Sequence, residues 1–518
     1  MSTRRFATAL AATLALAACA SDTDESGSGS GADGDTASGQ DATGSADGDA
    51  PEEDAERSDE EASASAPATD PVAAAEAAID APRPRFRYPD PPDAPSIDEA
   101  NVDADAAIER IIEGVQLGFF DAGGVTLLAE SGDPRHGWFV SDLLRFFQGP
   151  DATQLTETFE IITGVDPTED PDAERSFWLP VTNHLIAWDT PAYEGYVEDK
   201  AALFTLLEPG WTPFFEDEDS TIDWRVVSWG GVFIDDRPLG DPLPCPGGCI
   251  PALDDFRTTD AAGGDWYPDE RIVFGLEVNG EALAVPLNIA EIHEMFNFTL
   301  GDRRIAMPYC TLCGSAQAYF TDQVDGSPTE GADEVPVLRT SGLLSLSNKV
   351  MYDLVTSSVF DTFTGAAVSG PLLDSGVELE EITVVRSTWS EWKNTHPDTQ
   401  IIAEDGGIER RYALDPLGGR DDDGPIFPIG EADDRLDVQE LVVGVLLDDG
   451  TALAFPSEAA TAAIDAGGDV ELDGVRLESS GDGLVAVDAT SGDPIAAHEA
   501  FWFAWSQFHP DTGLWLPR

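Results

Sequence analysis

Gly275-Leu-Glu-Val-Asn-Gly-Glu-Ala-Leu-Ala-Val-Pro286 is matched later in the chain by Gly444-Val-Leu-Leu-Asp-Asp-Gly-Thr-Ala-Leu-Ala-Phe-Pro456, with one inserted residue. In each stretch, two short apolar runs flank a turn of Asn, Asp and Gly, which is typical of paired β-strands. Further along, a Trp-x-x-Trp segment that ends in His-Pro-Asp-Thr also occurs twice, at residues 389–399 and 502–512. The same two motifs in the same order predict two copies of one β-rich unit.

The two copies differ in length and in cysteine content. The first copy is predicted at residues 220–435 and contains a Cys-x-x-Cys motif, whereas the second copy, at residues 436–518, is shorter and has no cysteine. We therefore expect the second copy to be a degenerate repeat that serves as a packing partner. Any chemistry is expected in the first copy.

Residues 97–219, which precede the repeat, have a helical pattern. Ile108, Ile111, Ile112 and Val115 keep the spacing of one helix face, and Pro134 after an Asp predicts the start of another helix. The fold class predicted for the chain is α+β: a small all-helical N-terminal domain followed by a β-rich domain with an internal duplication.

The N-terminus has the pattern of an exported lipoprotein. Two arginines, an apolar stretch and Leu16-Ala-Ala-Cys19 at residues 1–19 resemble a bacterial lipoprotein signal peptide in which Cys19 is lipidated. An ordinary cleaved signal peptide is the alternative. Residues 20–96 are rich in Ser, Gly, Asp, Glu, Ala and Pro, so they predict a disordered acidic tether. We expect an extracytoplasmic protein whose membrane contact is the lipid anchor at Cys19.

The charge of the chain excludes one class of partner. It has 27 Lys and Arg residues against 100 Asp and Glu residues, which gives a formal net charge of −73. A field of this sign repels the phosphates of nucleic acids. A nucleic-acid-binding function is therefore not expected.

Apart from Cys19, four cysteines form two local pairs. The Pro-Gly-Gly loop between Cys245 and Cys249 can turn tightly, and outside the cytoplasm this pair predicts a structural disulfide. The second pair, Cys310 and Cys313, is followed at once by a glycine and by no helical pattern. It predicts a cysteine turn between two strands, in contrast to the helix-opening motif of thioredoxin-like proteins.

Three functions are compatible with this turn. The first is thiol-redox chemistry through Cys310 and Cys313, with Cys310 as nucleophile and His293 as a nearby base or ligand. The second is binding of zinc or another transition metal by Cys310, Cys313 and His293. The third is a non-catalytic envelope scaffold or binding protein whose tandem β units bind a partner or a polysaccharide. An unidentified redox or envelope protein is the protein partner compatible with these functions. Whether the protein is an enzyme, and on which substrate, stays open at this point.

Polar residues within an apolar stretch downstream form a candidate pocket. Arg339, Ser341 and Asn348 can donate hydrogen bonds to a ligand, and Tyr352 and Asp353 can orient them. The same residue types also build turns, so turn chemistry is the alternative for each of them.

The β-rich region resembles a known family over about three hundred residues. The shared motifs are Cys249-Ile-Pro-Ala-Leu-Asp254, Glu-Val-Asn-Gly-Glu-Ala, His293-Glu294, Cys310-x-x-Cys313-Gly314, and Val350-Met-Tyr-Asp353. In this order they resemble the DUF3179 family, a domain of unknown function found in bacterial and archaeal proteins that are often exported. The resemblance implies membership and export, but it supplies no reaction. This chain differs from the family pattern at Thr311, where a proline is usual, and at Cys249, where a glycine is usual.

Overall fold

The structure is a computed structural model that describes residues 86–93, 102–242, 245, 247–322, 336–419 and 424–517. The predicted signal peptide at residues 1–19, the lipidation site Cys19 and most of the tether lie outside these residues. The end of the predicted tether, residues 86–93, does have defined contacts. Trp188 Nε1 donates to the carbonyl oxygen of Pro89 at 2.7 Å. This part of the predicted tether is therefore ordered against the helices.

The described elements before residue 216 are helical. Asp133 caps its turn as predicted, because its side chain accepts a hydrogen bond from the Arg135 backbone N–H. Short 3-10 turns lie at Pro134–His136, Pro167–Glu169, Pro171–Glu174 and Pro209–Trp211. The α-helices are α1 (Val102–Leu117), α2 (Ala122–Ala129), α3 (Gly137–Leu144), α4 (Pro150–Thr163), α5 (Trp178–Ala187), α6 (Tyr196–Leu207) and α7 (Thr212–Phe215).

The rest of the described chain consists of strands with short helices between them. The helices are α8 (Leu287–His293), α9 (Pro371–Asp374), α10 (Trp389–Thr395), α11 (Ser457–Asp465) and α12 (Trp502–Phe508). The strands are β1 (Val227–Trp229), β2 (Leu253–Asp254), β3 (Thr258–Asp260), β4 (Ile272–Val278), β5 (Glu281–Pro286), β6 (Met295–Leu300), β7 (Arg303–Cys310), β8 (Ser315–Ala316), β9 (Ala318–Phe320), β10 (Leu338–Ser345), β11 (Asn348–Asp353), β12 (Val359–Phe360), β13 (Glu380–Ile382), β14 (Val385–Thr388), β15 (Gln400–Ile402), β16 (Leu441–Leu446), β17 (Ala452–Pro456), β18 (Glu471–Leu472), β19 (Val475–Ser480), β20 (Gly483–Asp488), β21 (Pro494–Ile495), β22 (His498–Phe501) and β23 (Gly513–Leu514).

These strands form five small sheets. Sheet I has the order β1-β10-β11-β12, and sheet II has the order β13-β9-β7-β6-β2 with β8 attached to β7. Sheet III is β14-β4-β5-β15-β3, sheet IV is β22-β16-β17-β23, and sheet V is β18-β19-β20-β21. The chain thus contains both helices and sheets, as the α+β prediction requires.

Sheets III and IV have the same core topology. In sheet III, β4 pairs antiparallel with β5 and β14, and β5 pairs parallel with β15. In sheet IV, β16 pairs antiparallel with β17 and β22, and β17 pairs parallel with β23. A helix follows the hairpin in both cases, α8 after β5 and α11 after β17. The two matching sequence stretches therefore form equivalent hairpins.

Glycine has the same physical role in both copies. A Cβ atom at Gly275 would overlap the Trp392 ring, and a Cβ atom at Gly444 would overlap the Trp505 ring. Each indole packs directly on the strand backbone, which only a residue without a side chain permits. The Trp-x-x-Trp segments are thus anchored to their hairpins in the same way.

The helices do not have a core of their own. Ile108, Trp138 and Leu203 belong to one buried cluster that also contains Val227 of β1 and Val350 of β11. This cluster joins the helices to sheet I, so burial of apolar surface stabilises both together. The division of the chain into a separate helical domain and two further domains stays a prediction. None of the described helices is long and apolar enough to cross a membrane.

Candidate functional site

The Cys310–Cys313 turn lies at the end of strand β7, as the sequence predicts. Strand β8 folds back on β7, where Cys310 pairs with Ser315. The Cys313 N–H donates to the Cys310 carbonyl oxygen at 3.2 Å, and Gly314 has a φ of 59°. This left-handed conformation favours glycine and lets the chain reverse directly after the second cysteine. No helix begins here, so a helix N-terminus does not contribute to the thiol electrostatics.

Both thiols are free and buried. Cys310 is 2% exposed and Cys313 is fully buried. The second copy covers them: the Phe501 N–H donates to the Cys313 carbonyl oxygen at 2.8 Å, and Trp505 belongs to the same buried cluster as the two cysteines. The second copy therefore packs against the cysteine turn, in agreement with its predicted role as a packing partner.

The two sulfur atoms have different surroundings. Cys313 Sγ lies 3.2 Å from the carbonyl oxygen of Ser347, to which its thiol donates, and 3.6 Å from the Ser347 hydroxyl. Cys310 Sγ lies farther from this carbonyl, at 3.9 Å. Cys310 is hydrogen-bonded to Cys313 and to the backbone of Lys349. Because a carbonyl oxygen only accepts, the Ser347 carbonyl favours a protonated Cys313, whereas the Ser347 hydroxyl acts in the opposite direction and lowers the pKa of Cys313.

The electrostatics follow this difference. Burial by itself raises the pKa of Cys310, but the hydrogen bond with Cys313 and the nearby Lys349 outweigh burial and the opposing charge of Glu294, so the pKa is lowered. Burial raises the pKa of Cys313 well above its ordinary value, and the hydrogen bond with Cys310 raises it further. Cys310 is therefore the thiol that deprotonates first.

A buried ion pair lies beside the turn. Lys349 Nζ is 2.9 Å from Glu294 Oε2 and donates to the Glu294 carbonyl oxygen at 2.7 Å. The Thr311 hydroxyl, inside the Cys-x-x-Cys motif, donates to Glu294 Oε1 at 2.9 Å. The ion pair thus connects helix α8, the cysteine turn and strand β11. Glu294 has a φ of 52°, which shows how sharply the chain turns after α8.

His293 faces other partners. Its Nδ1 lies 2.7 Å from the carbonyl oxygen of Pro251, and its Nε2 lies 2.7 Å from the Tyr412 hydroxyl. The carbonyl requires a proton on Nδ1, so Nε2 accepts from the tyrosine. Burial lowers the pKa of His293 to about 3, which keeps the ring neutral. Both ring nitrogens are occupied away from the thiols, so Glu294, the next residue, takes the position beside the turn that was predicted for His293.

The predicted metal set is not assembled. In the described part of the chain, the group of three ligand atoms close enough to share a metal ion is Asp235, Cys245 and Cys249, and it excludes Cys310, Cys313 and His293. Cys245 and Cys249 lie at disulfide distance, with their Cα atoms 5.4 Å apart. A metal site needs thiolates, which a disulfide does not provide.

Asp235 is already paired with cations. Arg237 donates to Asp235 Oδ1 at 2.7 Å and to Oδ2 at 2.8 Å, and the Arg339 Nε atom lies 3.7 Å from Oδ2. The Ala252 N–H also donates to this carboxylate. Two guanidinium groups repel a further cation, so the surroundings of Asp235 favour the disulfide over a metal ion for Cys245 and Cys249.

Four of the five predicted pocket residues are occupied by internal contacts. Arg339 binds both carboxylate oxygens of Asp254, and the Ser341 hydroxyl donates to the Val350 carbonyl oxygen. The Tyr352 hydroxyl donates to the Asp235 carbonyl oxygen. Asp353 accepts from the backbone of residues 337 and 356, which is turn chemistry. The structure does not bring these residues together with Asn348 around one cavity.

The comparison with known proteins gives one result. Residues 247–473 match the sequence model of a family described as protein of unknown function (DUF3179). Over these residues the chain belongs to the DUF3179 family. No curated protein and no solved structure matches the chain.

The DUF3179 region contains Cys249, His293 and the whole cysteine turn, but it ends at residue 473, inside the second copy. Strand β22 and helix α12, which cover the turn, lie beyond this end. Cys310 and Cys313 therefore belong to the DUF3179 region, whereas some of the residues that bury them lie outside it.

Sequence reasoning missed Glu294 and Lys349 as neighbours of the thiols. A signal was present, because Lys349 is a cation within an apolar strand and such residues are rarely buried without a partner. The missing information was the partner, which lies 55 residues away in the chain. Ser347 and Gln507, hydrogen-bonded to each other at 2.8 Å, were missed for the same reason.

Proposed function

We propose that this protein is a cell-envelope thiol–disulfide exchange protein in which Cys310 attacks a substrate disulfide and Cys313 resolves the intermediate. The observation that carries the proposal is the pairing of two free thiols on one tight turn, beside the ion pair of Lys349 and Glu294. Among the described residues, no third ligand atom lies close enough to Cys310 and Cys313 to form a metal site with them.

The reaction uses only the two thiols and a substrate disulfide. The Cys310 thiolate attacks one substrate sulfur, the substrate S–S bond breaks, and the leaving thiolate takes up a proton. Cys313 then loses its proton and attacks the Cys310 sulfur of the mixed disulfide, which releases the second substrate thiol. The substrate gains two electrons and two protons, and Cys310 and Cys313 become a disulfide.

The environment supports this division of roles. The lowered pKa of Cys310 makes its thiolate easier to form, and the raised pKa of Cys313 favours the protonated form of the second thiol until the first step is complete. The charge of Lys349 lowers the pKa of Cys310, and its ion pair with Glu294 holds Lys349 beside the turn. Lys349 and Glu294 act as positioning residues in this scheme.

Because the thiols are buried, a substrate needs a conformational change before it can reach them. Neither sulfur is exposed, so a substrate reaches Cys310 only when the cover from the second copy opens. The hydrogen bonds from Phe501 to Cys313 and from Ser347 to Gln507 are two direct links that break on opening. The second copy, which we infer to be a duplicate of the first, then acts as a gate.

The location proposed is outside the cytoplasm. Cys19 would carry the lipid anchor, residues 20–85 would act as an acidic tether, and the helices would precede the duplicated β-rich part. The charge of −73 is compatible with a protein exposed to solvent near a membrane, and it disfavours nucleic acids.

The test uses the full chain and an aromatic disulfide reagent, 5,5′-dithiobis(2-nitrobenzoic acid). We expect the wild-type protein to release two reporter thiols and to retain no label, because Cys313 resolves the mixed disulfide. Cys313→Ser should retain one label on Cys310, and Cys310→Ser should react far more slowly. The matched control is the double variant Cys245→Ser/Cys249→Ser, which should still exchange like the wild type.

Two results would overturn the proposal. One is a folded wild-type protein, judged by circular dichroism, whose Cys310–Cys313 pair does not react with the reagent over hours. The other is faster labelling of Cys313 than of Cys310 in the single variants. Metal analysis of the same preparation separates the redox proposal from metal binding, since a bound ion lost in Cys310→Ser would favour the latter.

A further inference from the structure

A cavity of about 220 Å³ lies where three parts of the chain meet. Phe214 of helix α7 and Trp224 form one side, sheet I forms the floor, and Phe508 of helix α12 contributes from the second copy. Most of its lining is aromatic or aliphatic. Sheet I contributes Val227, Leu343, Asn348 and Val350 to this lining.

Asn348 is the unusual residue in this lining. It is 1% exposed, and neither its amide oxygen nor its amide nitrogen has a hydrogen-bond partner. Buried amides are nearly always hydrogen-bonded, because their transfer from water is unfavourable when no partner replaces the solvent. An amide that lines a cavity with both atoms unpaired can donate one hydrogen bond and accept another from a molecule in that cavity.

The alternation of strand β11 gives the direction of this side chain. Val350 packs in the cluster that joins the helices to sheet I, and Asn348 lies two residues before it, on the same face. Lys349, between them, points to the opposite face, where its ammonium group meets Glu294. The amide of Asn348 thus faces the cavity, whereas the cysteine turn lies on the other side of the strand.

Two polar neighbours in the lining are already occupied. The Asp361 carboxylate accepts hydrogen bonds from the backbone of residues 363 and 364, at 2.8 and 3.1 Å. The Thr362 hydroxyl donates to the Lys349 carbonyl oxygen at 2.7 Å. The Asp361 carboxylate disfavours an anionic ligand, and the cation of Lys349 is engaged by Glu294, so a neutral ligand fits best.

We propose that this cavity binds a small neutral molecule that has an apolar ring and a primary carboxamide or an equivalent donor–acceptor group. The carboxamide pairs with Asn348 through two hydrogen bonds, one in each direction, which satisfies both atoms of the asparagine. The ring occupies the apolar space between Phe214, Trp224 and Val350. An apolar cavity of about 150 Å³ is enough to hold benzene, so this one has room for a ring and its polar group.

The test measures binding of benzamide to the full chain by saturation-transfer NMR, with ethylbenzene as the apolar probe of similar shape. We expect saturable benzamide binding that is at least tenfold tighter than ethylbenzene binding. In Asn348→Leu, which keeps the size of the side chain, benzamide should bind at least tenfold more weakly and lose its advantage. Val350→Phe, which fills the cavity, should abolish binding of both probes.

The wild-type comparison keeps the proposal falsifiable even when a variant does not fold. Absence of benzamide binding at millimolar concentration, or equal binding of benzamide and ethylbenzene, overturns it. Unchanged benzamide binding in a folded Asn348→Leu protein also overturns it. The Cys310→Ser/Cys313→Ser protein should bind benzamide like the wild type, so the outcome is independent of the thiol chemistry.

Discussion

The two copies have the same hairpin and the same tryptophan anchor, but their tryptophans lie in different surroundings. Trp392 packs in a cluster whose buried members, such as Tyr267 and Val273, all belong to the first copy, with Val485 of the second copy packed against its edge. Trp505 packs in the cluster that contains Cys310 and Cys313. The comparison shows that one local structure can serve as a core element in one copy and as an interface in the other.

One pair of equivalent strand positions differs in a way that contributes to the interface. Val385 pairs with Gly275 in sheet III, and His498 pairs with Gly444 in sheet IV. Val385 is an ordinary buried apolar residue, whereas His498 donates from Nδ1 to Glu381 of the first copy at 2.7 Å. A polar residue at this position of the second copy thus links it to the first.

The largest expected effect on stability comes from replacing either of the two tryptophans that pack on the hairpin glycines. Trp392→Ala and Trp505→Ala should each reduce the free energy of unfolding by about 3–5 kcal/mol, because each leaves a large cavity. Only Trp505→Ala should also accelerate alkylation of the cysteines by iodoacetamide. Urea unfolding and labelling rates at a concentration where both variants are folded check this difference.

An equal increase of the alkylation rate in both tryptophan variants would contradict the proposal that the second copy acts as a gate. It would mean that the cysteines become accessible through global unfolding and not through loss of the cover. Tryptophan-to-phenylalanine variants at the same positions are the milder control, since they retain most of the ring packing.

A smaller loss of stability is expected when the threonine hydroxyl that accepts a hydrogen bond from each indole is removed. Trp392 Nε1 donates to Thr399 Oγ1 at 2.9 Å, and Trp505 Nε1 donates to Thr512 Oγ1 at 3.0 Å. Thr399→Val or Thr512→Val leaves a buried indole N–H without a partner, which should destabilise the protein by about 1–3 kcal/mol in each copy. Chemical denaturation of both variants measures the two values.

Serine at the same positions is the matched control, because it keeps the hydroxyl and should restore most of the stability. A loss in one copy only would show that the two anchors, although alike in geometry, are not equivalent in energy.

The smallest expected effect concerns the histidine that follows each anchor. His396 stacks on Trp392 and lies 3.3 Å from Glu277 Oε2, whereas His509 has a buried Nε2 without a hydrogen-bond partner. Burial, with the charge of His498 adding to it, lowers the pKa of His509 to about 4. His509 is protonated at higher pH in the unfolded chain than in the folded chain. The free energy of unfolding therefore decreases as the pH falls from about 6.5 to 4.

His509→Gln should therefore flatten the loss of stability in this pH range, by less than about 1 kcal/mol per pH unit. Urea unfolding at several pH values between 4 and 7 measures the slope. His396→Gln is the matched variant, and a larger change of slope there than in His509→Gln would contradict the assignment.

The sequence predicted the local elements well where they depend on neighbouring residues. The stretch Gly275–Pro286 predicted two strands around an Asn-Gly turn, and the structure places β4 at Ile272–Val278 and β5 at Glu281–Pro286. Alternating apolar residues and an Asn-Gly turn are sufficient for such a hairpin, because the pairing partners are close in the chain. The cysteine turn was also predicted, since a glycine directly after Cys313 favours a reversal.

The surroundings of the candidate site could not be predicted in the same way. Helix α8 is short: it ends at His293, and the chain continues as strand β6. This early end sends His293 towards Pro251 and Tyr412 and places Glu294 beside the thiols. Both contacts join residues far apart in the chain, which a local pattern does not encode.

By itself, the sequence determined the repeated hairpins, the anchoring tryptophans and the position of Cys310 and Cys313 on a turn. Only the tertiary structure decided that the second copy covers this turn, that Lys349 and Glu294 pair next to it, and that Asn348 faces a cavity with its amide unpaired. The physical reason is range: turns and strand alternation depend on adjacent residues, whereas burial, ion pairing and cavities depend on segments that meet only in the folded chain.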